Sequence, residues 1–516
     1  MANDESEMKG AVIARRPLRK KNFPDRPESL PLAPIMGKDK TSKPKRVQPA
    51  LLKGFRDYPP EQQAARETIL AKAREAVELM GFRPLQTASL ESADVLLGSH
   101  YSSDSLAELF GFHGPDDVDM ALRYEFTLSL ARYVASQPNL PLPFRRYQYG
   151  NVWRVDKPGP GRFREFMQFD IDIVGTRNVL ADAEIIAAMV STLEHLGIER
   201  FKVRFSNRKI LNGLIEWSGI AADRGPDVMR VLDKLERIGI DNVIAELGPG
   251  RIDESGDKIT GLELPDALIG KVREFISQDL VGSGQDLRAS HEYLLSSNHA
   301  TEGFDELIQI ESYLKHMGVP SDKAAVDLTI VRGLGYYTGP VFETNLLDLP
   351  SFGSVFSGGR YDNLVERFQS VPVPAVGSSI GVDRLLAALI ELKAVRLERS
   401  TSQVLVTVMD RARLPEYLAM LKELRVAGLR AEIFAGDTKN ITKQIKYADK
   451  VGIPVAVIQG SQEAEAGQVT IKNLAAGAEA AEETYDREQW LKAEGFQQTI
   501  PRAEMLSHIR KLLAGD

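Results

Sequence analysis

The chain has 516 residues, 43 % hydrophobic and 27 % charged, with a net charge of −7 and a pI near 5.7; this is the make-up of a soluble globular protein long enough for about three domains. It contains no cysteine, which excludes disulfides, thiolate nucleophiles and cysteine-bound zinc and fits a cytosolic protein. Its histidines show no H-x-x-H or H-E-x-x-H spacing, no apolar run is long enough to span a bilayer, and the acidic balance still leaves room for a local basic track that meets phosphates.

Residues 1–50 read as a tail. The stretch "ARRPLRKKNFPDRPESLPLAPIMGKDKTSKPKR" is rich in Lys, Arg and Pro, has no helical or strand period and builds no core. A solvated extension is the simpler reading, RNA contact the alternative. The acidic start "MANDESEMKG", with no apolar stretch after it, speaks against a signal peptide or a mitochondrial presequence.

From Pro59 the pattern changes. "PPEQQAARETILAKAREAVELMG" has apolar residues at helical spacing, opens on proline and closes on Gly81. The runs "MALRYEFTLSLARYVA", "FRRYQYGNVWRV" and "FREFMQFDIDIVG" suit an antiparallel sheet. "ADAEIIAAMVSTLEHLG" is an amphipathic helix and "FKVRFSN" another strand. Residues 208–322 are mostly helical in pattern and read as an insertion, because strand-like segments resume at Asp327. "GSSIGVDRLLAALIELK" is a glycine-rich lead into a helix. From about residue 402, "QVLVTVMD", "YLAMLKELRVAGL", "RAEIFAG", "NITKQIKYADKVG" and "PVAVIQG" alternate strand and helix, which predicts a small α/β domain with a mainly parallel sheet. The expected organisation is an extension over 1–50, an α+β core over 51–395 (an antiparallel sheet flanked by helices, with the helical insertion) and an α/β domain over 402–516.

The chemistry concentrates in "RRYQYGNVWRVDKPGPGRFREFMQFDIDIVG", Arg145–Gly175. Two strand-like segments flank the loop "DKPGPG", and alternation places Arg154, Arg162 or Arg164, Phe166, Gln168, Asp170 and Asp172 largely on one face. Arginine offers paired donors to phosphate or carboxylate, Gln168 and Asp172 offer hydrogen bonds, and Phe166 a flat surface for a base. A solvated sheet face with cross-strand ion pairs is the plain alternative.

"GNVWRVDKPGPGRFREFMQFDIDIVG" resembles the second signature motif of class II aminoacyl-tRNA synthetases, and "VPAVGSSIGVDRLLAAL" resembles the third. "VRGLGYYTGPVFE" and "SGGRYDNLV" are similar to segments particular to histidyl-tRNA synthetases, and the C-terminal block to that family's anticodon-binding domain. The resemblance runs from "GFRDYPP" near Gly54 to the C-terminus and implies a class II catalytic core.

It also implies roles. Arg154 would hold the α-phosphate of ATP and the histidine carboxylate, with Arg332 against the same phosphate from the other side. Asp156 and Phe166 would contact the adenine, Arg162 the terminal phosphates, and Arg384 would lie over ATP. Mg²⁺ would come with the phosphates; a metal site of the protein itself is not identified. Glu125, assisted by Thr127 and Gln168, would bind the α-ammonium group. Asp172 would accept from one ring N–H of histidine, with Tyr337 or Tyr361 on the other side. Tyr336 and Tyr337 alternate along an extended segment, and Tyr337 is the choice for the ring contact. The partners implied are tRNA(His), L-histidine, ATP and a second copy of the chain in a homodimer. Ala88 stands where the first motif usually has proline, and Gly335 where many members have Asp. The alternative is an inactive relative with the same core, such as the regulatory subunit of ATP phosphoribosyltransferase. That subunit lacks the anticodon-binding domain and the "RGLGYYTG" pattern, and this chain has both.

Overall fold

The alternation of "EFMQFDIDIV" divides one strand between two environments. Phe169, Ile171 and Ile173 are buried in the main apolar core, whereas Gln168, Asp170 and Asp172 line a cleft, as a side-chain period of two requires. This strand belongs to a nine-stranded sheet in the computed structural model, which describes residues 47–98, 109–114, 117–159, 161–331, 336–395, 397–475 and 496–514. The chain divides into Met1–Leu51 and Leu52–Asp516, and every element below belongs to the second unit. The greater part of the basic tail, 1–46, lies outside the described residues.

In chain order the strands of this sheet are β1 (Arg83–Pro84), β2 (Phe144–Trp153), β3 (Glu165–Val174), β4 (Phe201–Asn207), β5 (Val281–Gly282), β6 (Ala324–Asp327), β7 (Pro340–Leu346), β8 (Ser354–Tyr361) and β9 (Ala375–Gly381). Across the sheet they run β1-β2-β3-β9-β8-β7-β4-β6-β5. From β2 through β4 in that order every pair is antiparallel; β1 on β2 and β6 on β4 are parallel. One face packs on the helices Pro60–Glu78, Leu180–His195 and Val382–Glu391, where Ile69, Val77, Ile186, Met189 and Leu385 meet Phe169, Ile171, Phe205 and Phe356. Each such fully buried side chain contributes about 1.5–3 kcal/mol of transfer free energy.

The run "MALRYEFTLSLARYVA" departs from the strand expectation. Asp119–Leu122 is a strand, but Thr127–Ala135 is a helix. Glu125 Oε1 accepts from the Leu128 amide at 2.8 Å and so holds one of the free N–H groups of the first turn. Thr127, Leu128, Ser129, Leu130 and Ala131 are all buried, so no polar face marks the 3.6-residue period. Residues 208–322 carry six of the described helices together with the hairpin Gly250–Ile252/Lys258–Thr260, and they return strand β5 to the edge of the large sheet.

The C-terminal block forms its own five-stranded sheet. Val404–Val406 lies between Ala431–Ile433 and Val455–Ile458, all parallel. Gln468–Asn473 and Gln497–Pro501 then add antiparallel, so the sheet is mixed and not mainly parallel. Its helix Ile441–Val451 starts at Asn440, whose side chain accepts from Lys443 N at 3.2 Å, and stops at Gly452 with φ +85°. No helix among the described residues is long and apolar enough to cross a membrane.

A buried ion pair ties the large sheet to its helices. Arg360 of β8 donates to Asp182 Oδ2 at 2.5 Å from one nitrogen and to Oδ1 at 3.1 Å from another, and to the Thr176 carbonyl at 2.9 Å. Burial pushes Asp182 up to about 6 against the pull of Arg360. Arg360→Met strands that carboxylate, and the expected loss of unfolding free energy is about 3–5 kcal/mol. A urea titration checks it: a loss below about 1 kcal/mol would show the pair to be dispensable.

Candidate active site

The polar face of the sheet is the floor of a cleft of about 320 Å³. Three neighbouring strands supply it, and their register fixes which residues meet. Asp172 of β3 stands opposite Arg146 of β2 on one side and Gly377 of β9 on the other. Asp170 stands opposite Gln148 and Ser379, and Ser379 opposite Ser357 of β8. A Cβ at Gly377 would lie 1.9 Å from Asp172 Oδ1, so glycine here gives the carboxylate its room.

One end of the cleft is buried. Glu125, Asp172 and Tyr361 are each 3 % exposed and Thr127 9 %. Tyr361 donates to Asp172 Oδ1 at 2.5 Å. Arg146, fully buried, brings a terminal nitrogen to 2.7 Å from Asp172 Oδ2; this is a close charge contact without the alignment of a hydrogen bond. Tyr336 donates to Glu125 Oε2 at 3.1 Å. The rings of Tyr336 and Tyr337 meet edge to face, 5.2 Å apart, and both line the cleft. They do not alternate along a strand, because β7 begins only at Pro340. Burial pushes all three phenols well above their ordinary range, so each is a neutral hydroxyl at pH 7.

The other end is open and cationic. Arg154 donates to the Tyr124 carbonyl at 3.1 Å and lies 5.1 Å from the Phe166 ring centroid. Arg384 donates to the Ser354 carbonyl at 3.0 Å. Arg162 and Asp156 face each other at 3.6 Å with about half of each side chain exposed. Between the alternatives Arg162 and Arg164, Arg162 lines the cleft, whereas Arg164 reaches back to the carbonyls of Asp156 and Lys53, both at 3.4 Å. Asp383, beside Arg384, accepts from the Met167 amide at 2.8 Å and pairs with Arg66 at 2.9 Å; this joins the start of helix Val382–Glu391 to β3.

Every candidate residue within the described set lines this one cleft: Glu125, Thr127, Arg154, Asp156, Arg162, Phe166, Gln168, Asp172, Tyr336, Tyr337, Tyr361 and Arg384. Arg332 and Gly335 lie outside the described residues. Sequence reasoning missed Arg146 and Arg123, although strand alternation of "RRYQYG" against "FDIDIV" places Arg146 on the face of Asp172. Arg123, 1 % exposed, donates to the carbonyls of Thr87, at 2.9 Å, and Asn151, at 3.1 Å; burial lowers it to about 10.

A family model described as "Histidyl-tRNA synthetase" matches residues 54–385. The chain belongs to the histidyl-tRNA synthetase family. A second model, "Anticodon binding domain", matches residues 403–512. As a histidyl-tRNA synthetase family member the chain is similar to the histidine–tRNA ligase of Paracoccus denitrificans, 44 % identical over 93 % of this chain and 100 % of that one. It is 42 % identical to that of Rhizobium leguminosarum over 92 % of this chain and 97 % of the relative. Among solved structures it resembles the histidyl-tRNA synthetase from Nostoc sp. PCC 7120, with a TM-score of 0.74, 29 % identity, and 90 % and 100 % of the two chains covered. An ATP phosphoribosyltransferase regulatory subunit/histidyl-tRNA synthetase from Bacillus halodurans has a TM-score of 0.62 at 24 % identity, over 78 % and 97 %; at that identity it speaks to the fold alone.

The cleft of this histidyl-tRNA synthetase family member stores a titration. Burial pushes Asp170 up to about 7, with Arg146 pulling the other way. A carboxyl whose folded value exceeds its unfolded value, about 3.9, binds its proton more tightly when folded. Its contribution to stability is therefore full below about pH 4 and lost as pH rises through 7. Thermal melts of the parent and Asp170→Asn across pH 4–8 check this: parent minus variant is expected to fall through that window, and a flat difference would refute it.

Proposed function

We propose that the cleft activates L-histidine with ATP, giving histidyl-adenylate and pyrophosphate, and that the protein then transfers histidine to the 3′ end of tRNA(His). One observation carries this reading: on a single sheet face, a buried set suited to an ammonium group and a polar ring adjoins an open set of arginines suited to phosphates. In the first step a carboxylate oxygen of histidine attacks the α-phosphorus, and pyrophosphate leaves with the electron pair of the broken P–O bond. In the second, a hydroxyl of the terminal ribose of tRNA attacks the carbonyl carbon and AMP leaves.

The nucleophile of the first step is ionised at pH 7, so alignment and charge neutralisation are the main demands. The cleft fits them, since arginines line it and, among the described residues, no histidine does. Arg154 and Arg332 take the α-phosphate, Arg162 the terminal phosphates, Arg384 the face of ATP, and Asp156 and Phe166 the adenine. Arg154 is already held by the Tyr124 carbonyl, which lowers the cost of ordering it. Mg²⁺ enters with the phosphates as part of the nucleotide substrate; among the described residues no three His, Asp or Glu side chains gather into a protein-built metal site.

Histidine selection falls to the buried end. Glu125, with Thr127 and Gln168, takes the ammonium group; Gln168 Oε1 is buried without a partner among the described residues. Asp172 takes a ring N–H. Tyr361 is engaged with Asp172 and Tyr336 with Glu125, which leaves Tyr337 for the other ring nitrogen. A site that pairs both nitrogens rejects rings lacking them, because its own buried groups go unpaired.

The acceptor end of tRNA approaches the loop 156–161 and the anticodon the block 402–516, with the catalytic domain over 51–395 between an N-terminal extension and that block. The working form is a cytoplasmic homodimer. Histidine-dependent exchange of pyrophosphate into ATP tests the reading: exchange is expected, and folded protein without it would favour the inactive-relative alternative. Arg332→Ala is expected to abolish exchange while ATP binding survives. Asp172→Ala is expected to lower kcat/KM for histidine about 10- to 100-fold with little change in KM for ATP, and unchanged histidine use would remove Asp172 from the ring site.

A further inference from the structure

Arg146 is fully buried and does not line the cleft. Among the described residues its only close ionic partner is Asp172, 2.7 Å away, and none of its guanidinium nitrogens makes an aligned hydrogen bond. Arg360 in the same sheet is the opposite case, with donors spent on Asp182 and on the carbonyls of Thr176 and Asn178. Arg123, the other buried guanidinium near this face, is likewise spent on backbone carbonyls. Desolvating a guanidinium costs several kcal/mol, and replacing a whole buried ion pair by apolar residues is often neutral or stabilising. Fold stability therefore does not require an Arg146–Asp172 pair at this place in the sheet, although with Asp172 kept, loss of Arg146 alone strands its carboxylate.

We infer that Arg146 is a positioning residue for histidine selection: from behind the cleft wall it holds the Asp172 carboxylate as the acceptor of a histidine ring N–H. The inference rests on the reading of Asp172 as the ring contact. Arg146 grips Oδ2 from β2 while Tyr361 grips Oδ1 from β8, so the carboxylate is clamped from two strands. Among the described residues the groups that act on Asp172 are Arg146, Tyr361, Glu125, Asp170 on its own strand, and Tyr337. Arg146 is the one cation among them. Burial raises Asp172 and Glu125 adds to the push, while Arg146 is the largest opposing influence. Without it Asp172 keeps its proton to higher pH, and a carboxylic acid presents an O–H where the ring N–H needs an acceptor.

Pyrophosphate exchange from pH 6.5 to 9, with histidine and ATP varied separately, tests this on Arg146→Met and Arg146→Lys after circular dichroism has verified folding. For R146M the expected result is a loss in kcat/KM for histidine of about 10- to 100-fold at pH 7, with KM for ATP within about 3-fold. The loss should shrink toward pH 9 as Asp172 ionises, and R146K should recover part of it. Parent-like histidine use by R146M, an equal loss toward ATP, or a loss independent of pH would overturn the inference. If R146M does not fold, R146K decides: a raised KM for histidine alone supports the role, and an unchanged one overturns it. Asp172→Ala separates the levels, because a defect there without one in R146M refutes only Arg146, whereas no defect in either refutes the ring contact itself.

Discussion

A carboxylate buried in the middle of a β-sheet stays ionised only if a cation is buried with it. Isolated charges cost tens of kcal/mol in a low-dielectric interior, so a protein must pair them or let them take up a proton. Asp172 and Asp170 sit on the central strand of the cleft floor, 3 % and 5 % exposed, and Arg146 and Arg123 lie fully buried on the same side. The floor is thus a small ionic layer inside the protein. Its balance is close, since burial still moves both carboxyls upward while Arg146 pulls them down. A ligand that brings its own N–H groups completes a set of partners the protein leaves partly unfilled, and this is the physical basis for selection by a site rather than by shape alone.

The sheet is built around that layer. Asp172 reaches across to Gly377, where any Cβ would collide with it, and Gly358 of β8 has room for none beneath Gly377. Glycines weaken a strand because they pack nothing. The opposite face offsets this with Phe169, Ile171, Ile173, Val376 and Ile380 against three helices. The Arg360–Asp182 pair then locks strand to helix close by. Apolar burial secures the platform from one side while polar groups occupy the other, and the two requirements share the same strands through a period of two.

That period is also why so much was legible in the sequence. "FMQFDIDIV" shows both faces at once, so Phe166, Gln168, Asp170 and Asp172 fall together without any knowledge of the fold. What the sequence hides is pairing partners and buried helices. Arg146 looks like an ordinary strand arginine until β2 is set beside β3, because nothing local distinguishes a solvated guanidinium from a buried one. The helix Thr127–Ala135 reads as strand because its first five residues are all buried and show no polar stripe. Tyr336 and Tyr337 suggest alternation only if the backbone there is extended, and the turn before β7 brings both rings to one wall. The C-terminal sheet follows the strand–helix rhythm of a parallel fold through Val455–Ile458, and its last two strands then pair antiparallel.

On the proposed reading, the difference between the two ends of the cleft follows from what each would bind. A phosphate chain brings its own charge and its own water, so half-exposed arginines such as Arg162 would serve it; long-range attraction needs no fixed geometry. A histidine ring brings no net charge at pH 7, and only direction distinguishes it from other rings. Direction demands acceptors and donors that do not move. Hence the buried end holds its side chains twice over: Glu125 by the Leu128 amide and Tyr336, Asp172 by Arg146 and Tyr361. Rigidity at one end and reach at the other are separate solutions, and the nine-stranded sheet supplies both by burying one end of the cleft and opening the other.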